Sequence, residues 1–111
     1  MSKFDEKMEL YTGSFKKLGI DFDATLFEKV TKGLGPSIYK RDAESVSCSQ
    51  ESEMATVKKN FLIKKLGCKD SPKLDDAIKA VCEEMGSSNR NKYRAIFYYL
   101  LTKKMGKESV Y

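Results

Sequence analysis

Phe4, Met8, Tyr11, Phe15 and Leu18 recur at alternating steps of four and three residues, the repeat of one helix face, and Gly19 follows as a left-handed stop. Ile20-Asp21-Phe22-Asp23 then turns the chain. Asp23 is placed to cap a second, short helix whose face is Leu26, Phe27 and Val30 and whose end is predicted at Gly33. Gly35-Pro36-Ser37 follows at once and predicts a further helical turn from Ser37 to about Ala43, carrying Ile38 and Tyr39. The serine-rich stretch from Glu44 to Ser49 reads as a connector, extended in part. Ser49 is the predicted cap of the next helix, with Glu51 and Glu53 suited to its positive end.

That helix presents Met54, Val57, Phe61, Leu62 and Leu66 and stops at Gly67. Asp70-Ser71-Pro72 supplies a cap and a first-turn proline for the clearest helix of all, Ser71 to Met85, with Leu74, Ala77, Ile78, Val81 and Met85 on one side and Gly86 behind it. Ser87-Ser88-Asn89 is predicted to cap a last helix that runs to about Met105 and stops at Gly106. Four of these ends share one composition: Lys16-Lys17-Leu18-Gly19, Lys64-Lys65-Leu66-Gly67, Glu83-Glu84-Met85-Gly86 and Lys103-Lys104-Met105-Gly106. In each, an apolar residue anchors the last turn and glycine reverses it, while lysines suit the negative dipole end in three of the four. Their irregular spacing excludes a solenoid. The expected fold is all-α: a compact bundle of about five helices in one layer-packed domain over residues 1–106, with 107–111 as a C-terminal tail.

Composition agrees with folding, at 41% hydrophobic and 33% charged residues in 111. The opening Met1-Ser2-Lys3-Phe4-Asp5-Glu6-Lys7 mixes charges where a secretory signal needs an apolar run. The stretch from Ala95 to Leu101 is too short to span a bilayer, so a cytoplasmic protein without membrane contact is expected. Cys48, Cys68 and Cys82 are odd in number and lack Cys-x-x-Cys spacing. They indicate neither a disulfide framework nor a thiolate metal site, and are expected to be reduced, partly buried thiols. Histidine is absent, which removes the usual general base and the commonest metal ligand. Asp75-Asp76 and Glu83-Glu84 point different ways around a helix and make no acid/base couple. Asp21-Phe22-Asp23 lacks the glycine and terminal glutamate of a calcium loop. No catalytic residue, metal site or cofactor is expected.

A net charge of +5 favours acidic partners. Arg90, Lys92 and Arg94 crowd the predicted start of the last helix, where the dipole is already positive. With the backbone amides near Ser87 and Ser88 they would suit a phosphate or carboxylate; alternatively they extend into water or pair with Asp75, Asp76, Glu83 or Glu84. The segment from Val30 to Ile38 resembles the hairpin of helix-hairpin-helix DNA-binding motifs. There Gly33 and Gly35 would present amides to a phosphate flanked by Lys32, Lys40 and Arg41, although a glycine-ended helix followed by proline reads the same way. Lys58, Lys59, Lys64 and Lys65 form a third basic group. The last helix is apolar nearly all round, through Tyr93, Ile96, Phe97, Leu100 and Leu101, which is the pattern of a central helix; the alternative is that a Tyr98 and Tyr99 edge faces a partner.

As a whole the chain resembles a family of short bacterial proteins known as domain of unknown function 2853. The likeness runs from the Lys3-Phe4-Asp5-Glu6-Lys7 start through Lys32-Gly33-Leu34-Gly35-Pro36-Ser37-Ile38-Tyr39, Asn60-Phe61-Leu62-Ile63-Lys64-Lys65-Leu66-Gly67 and Gly86-Ser87-Ser88-Asn89-Arg90-Asn91-Lys92-Tyr93-Arg94 to the Gly106-Lys107-Glu108-Ser109-Val110-Tyr111 end. The resemblance implies a bacterial origin and assigns no activity. The leading expectation is a non-enzymatic helical module whose partner is another protein, and the alternative is an anion or nucleic-acid binder.

Overall fold

The apolar stripes become helices in the order in which the sequence presents them. The structure, a computed structural model, describes residues 3–40, 44–86 and 92–111. Helix α1 spans Lys3–Leu18 and α2 spans Ala24–Leu34, with a 3-10 turn at Gly35–Tyr39. Helix α3 spans Glu51–Val57 and continues into a wider π-helical stretch at Lys58–Lys65. Helices α4, Pro72–Met85, and α5, Arg94–Lys104, follow, and a 3-10 turn at Glu108–Val110 ends the chain. Among the described residues these are five helices, and the fold is an all-α bundle. Among the described residues the sole β-type pairing is a bridge between Ser45 and Tyr93, and no helix is long and apolar enough to cross a membrane.

The four predicted glycine stops all have positive φ: 69° at Gly19, 72° at Gly67, 92° at Gly86 and 65° at Gly106. At Gly67 the closure is explicit, because the Cys68 amide reaches back to the Leu62 carbonyl at 2.9 Å and satisfies a helix end that would otherwise be unpaired. Several boundaries differ from expectation, the end of α2 and the start of α3 among them. Gly33 stays helical, and α2 ends instead at Gly35, the glycine of the pair with positive φ, 62°. The position before α3 is Gln50 rather than Ser49, and it makes no side-chain cap bond. By contrast Asp23 caps α2 as predicted, accepting from the Thr25 and Leu26 amides at 3.0 and 3.2 Å.

The π-helical stretch follows from the spacing of its buried residues. Val57, Phe61 and Leu66 are separated by four and then five positions, a drift that an α-helix would carry off the core. Bonding five residues back, as from the Leu66 amide to the Phe61 carbonyl at 2.9 Å, lengthens the turn by about one residue and keeps all three inside.

Helix α5 is the central element the all-round apolar pattern indicated. It packs on α2 and α4 and touches α1, and its Ala95, Ile96, Phe97, Tyr99, Leu100, Leu101 and Thr102 are buried. Beside it Phe15, Phe22, Phe27 and Tyr99 form one aromatic cluster. Phe15 stacks on Phe22 at 4.3 Å and meets Phe27 edge-on at 4.9 Å, so α1, the 20–23 turn, α2 and α5 share a single core.

The cysteines depart from expectation. Cys48 in the connector and Cys82 in the last turn of α4 are joined as a disulfide, with 6.1 Å between their Cα atoms, and only Cys68 is free, buried behind Gly67. An odd count without a motif cannot reveal a pair 34 residues apart. The packing of the connector over α4 creates it.

Candidate functional site

The basic start of the last helix is turned largely inward. Residues 87–91 lie outside the described residues, and with them Ser87, Ser88 and Arg90. Helix α5 begins at Arg94, not at the serines, with Tyr93 in the capping position. Lys92 is buried, 8% exposed, and its carbonyl accepts from the Val46 amide at 2.8 Å. Arg94 donates to Glu53 of α3 at 3.0 Å and to the Tyr98 hydroxyl at 3.0 Å. Arg94 thus has a glutamate from another helix, Glu53 of α3, as an ion-pair partner. A charge committed in this way binds a further anion only by giving up Glu53.

Tyr99 is 2% exposed, and its hydroxyl accepts from the Asp23 amide at 2.7 Å. Tyr98 is half-buried, stacked on Phe61 at 4.0 Å with its hydroxyl held by Arg94. Tyr99 therefore lies inside the bundle, as the central-helix pattern predicts, and Tyr98 forms a half-buried joint between helices. The bulk of these side chains is used to fill space between α5, α2 and α3.

Of the Gly33 to Arg41 segment, likened to a helix-hairpin-helix, residues up to Lys40 are described. A 3-10 turn at Gly35–Tyr39 follows α2, and Arg41 lies outside the described residues. Lys40 is exposed, while Lys32 pairs with Glu28 one turn earlier at 3.3 Å. Gly33 backs onto the end of the chain: a Cβ there would stand 3.4 Å from Tyr111 Cε1. The Tyr111 ring also carries Lys65 Nζ at 5.0 Å, so the end of α2 and the π-helical stretch meet around the C-terminal turn. Burial there pushes the Tyr111 hydroxyl up to about 12. Lys58, from the third basic group, is held between Asp75 at 3.1 Å and Asp70 at 3.2 Å. The hydrogen bond to Asp75, then that to Asp70, raises its affinity for its proton.

Sequence reasoning missed a groove between α3 and α4. It is an open cavity of about 390 Å³ with Met54, Ala55 and Ile78 along its apolar lining and Lys58, Asp75 and Lys79 among its polar residues. The disulfide lies in its wall, since Cys48 and Cys82 both line it. Asp75, Lys79 and Cys82 fall on one face of α4 by their spacing of four and three. Met54 and Ile78 read as core residues in the sequence, and Ile78 is buried with Met54 packed against the core; periodicity does not show that an edge of this face also lines a groove. The exposed Ala55 was the available signal: a small residue beside Met54 lets a second surface approach. No group of acidic and cysteine side chains that could hold a metal ion occurs among the described residues.

No curated protein matches the chain. The family described as protein of unknown function (DUF2853) matches residues 11–109, from within α1 through the C-terminal 3-10 turn. That span takes in the groove, the Arg94 joint, the second half of α1 and all of α2 to α5, and the chain belongs to the DUF2853 family.

Proposed function

We propose that this domain is a non-enzymatic interaction module of the cytoplasm, and that its partner is another protein, which lays an amphipathic segment in the groove between α3 and α4. The observation that carries this reading is the groove itself. Its lining is apolar and adaptable at Met54, open at Ala55 and bounded by charges at Lys58, Asp75 and Lys79. A helix with a narrow apolar stripe fits a trough between two helices, because its ridges seat where theirs diverge. The chain's excess of lysine over acid favours acidic flanks on that segment. The lack of histidine throughout the chain supports a role without general-base chemistry. The anion-binding alternative is left with Lys40 and with Ser87, Ser88, Arg90 and Arg41 outside the described residues, since Lys92 and Arg94 are engaged inside.

A photo-cross-linking residue placed at Ala55, compared in the native host with one at Glu84 on the far side of α4, tests the proposal. The expected result is one discrete heterologous adduct from position 55 alone. The cross-linked segment, made as a peptide, should bind the wild-type chain and lose at least tenfold in affinity against Ala55→Arg, with thermal stability unchanged. Adducts that are the same from both positions, an adduct only with a second copy of this chain, or a peptide that binds Ala55→Arg equally would overturn it.

A further inference from the structure

We infer that the Cys48–Cys82 disulfide is a thiol-exchange site, opened and closed by small thiols of the glutathione class that enter through the α3–α4 groove. Three observations carry this, none of which depends on whether the groove also receives a protein.

The first is access. Both cysteines are partly exposed and both line the open cavity, so a sulfur atom can be approached by a molecule of a few residues. Cys68 is shut in the core at 8% exposure and has no such route. The second is the setting. Lys58 and Lys79 line the same cavity together with Glu51 and Asp75; Lys58 is held by Asp70 and Asp75, so Lys79 is the ammonium group that would stabilise the thiolate that exchange releases. Lys79 precedes Cys82 by three residues and shares its helix face.

The third is that the fold does not need the bond to hold the connector. Ser45 pairs with Tyr93, the Val46 amide donates to the Lys92 carbonyl at 2.8 Å, Val46 is buried, and the Ser47 amide donates to Glu53 at 3.3 Å. Cleaving the disulfide therefore leaves residues 45–47 anchored on α5 and α3. It releases the stretch just beyond them, which leads into α3, from its tie to α4. A disulfide that is accessible and dispensable to the core has the properties of a reversible one.

The exchange balances without a further reagent. The thiolate RS⁻ attacks one sulfur of the pair, forming a mixed disulfide and expelling the other cysteine as a thiolate. A second RS⁻ attacks the mixed disulfide at the cysteine-bound bond's external sulfur. It leaves as RSSR with the first thiol, carrying away the two electrons' worth of oxidation and leaving two cysteine thiolates. The reverse sequence, starting from RSSR, closes the bond. In a reducing compartment the pool of free thiol sets how much of the chain is open.

The test equilibrates the native chain with glutathione buffers of graded ratio and follows intact mass, thiol mapping and far-ultraviolet circular dichroism. The expected outcome is reduction of Cys48–Cys82 without denaturant, with the folded spectrum and a cooperative melt retained. In Cys48→Ser and Cys82→Ser, oxidised glutathione should add once at the remaining groove cysteine, at least tenfold faster than at Cys68 in the double Cys48→Ser/Cys82→Ser chain. If reduction proceeds only in denaturant, if it abolishes the cooperative melt, or if Cys68 reacts as fast as its groove counterparts, the inference fails.

Discussion

Arg94 divides its guanidinium between Tyr98 one turn further along α5 and Glu53 on α3, at 3.0 Å to each. The same side chain lies 5.6 Å from the centre of the Tyr98 ring, and Tyr98 in turn stacks on Phe61. The pair is 17% and 22% exposed, shielded enough that each charge depends on the other. A residue that looked in the sequence like the edge of an anion site is in this way the fastener between two helices.

Removing it should therefore cost stability. Arg94→Ala is expected to lose about 2 kcal/mol by urea denaturation, because it strands the Glu53 carboxylate as well as deleting its own bonds. Arg94→Lys should lose about 1 kcal/mol, since an ammonium cannot span both partners as the planar fork does. A double-mutant cycle with Glu53→Gln that shows no coupling would mean the pair is only a surface contact.

Tyr11 makes the chain sensitive to alkali. Its buried hydroxyl donates to Glu44 at 2.7 Å, on the same oxygen that Lys7 approaches at 2.6 Å. Burial first, and then the bond to and charge of Glu44, push its ionisation above the ordinary 10.0. A raised folded-state value means that the protonated form is the one the fold stabilises. That contribution is complete below about pH 10, the unfolded value, and is lost as pH rises toward the folded one. Stability should fall from about pH 10 upward, and Tyr11→Phe should flatten that fall while lowering stability at neutral pH by about 1 to 2 kcal/mol. Denaturation curves at pH 7 and in the alkaline range would show both effects.

Gly33 and Gly35 should respond oppositely to alanine. Gly35 has φ of 62°, where a Cβ is strained, so Gly35→Ala is expected to cost about 1 to 2 kcal/mol. Gly33 is helical, and its new Cβ would make ordinary contact with Tyr111 at 3.4 Å, so Gly33→Ala should gain up to about 1 kcal/mol of helix propensity. Paired thermal melts decide this. Equal losses at both positions would place the end of α2 back at Gly33.

Tyr99→Phe removes the acceptor of the Asp23 amide without creating a cavity, and should cost about 1 to 2 kcal/mol. Asp23→Ala removes the cap from the Thr25 and Leu26 amides and should cost about 1 kcal/mol by the same melts. If Tyr99→Phe is neutral, the start of α2 is not tied to α5 through this hydroxyl.

The helices, the glycine ends and the central place of α5 were legible in the sequence, because local rules fix them. Periodicity marks a buried face, a left-handed φ selects glycine, and an all-round apolar helix has nowhere to go but inside. Phe4 through Leu18 with Gly19, and Leu74 through Met85 with Gly86, show this plainly. The boundary at Gly35 instead of Gly33 was lost because two glycines meet the local rule equally, and only the backbone shows which of them takes the positive φ.

What lies between helices was settled only by the tertiary structure. Arg94 with Glu53, Cys48 with Cys82 and Tyr99 with Asp23 are 41, 34 and 76 residues apart, and no local pattern carries information over such distances. The sequence by itself determined which segments turn into helices and which side of each is apolar. Only the packing decided that the basic start of α5 faces a carboxylate, that its tyrosines are joints, and that α3 and α4 leave a groove beside a disulfide. Helix formation is set within a few residues, whereas a charge or a thiol takes its role from whichever neighbour the fold delivers.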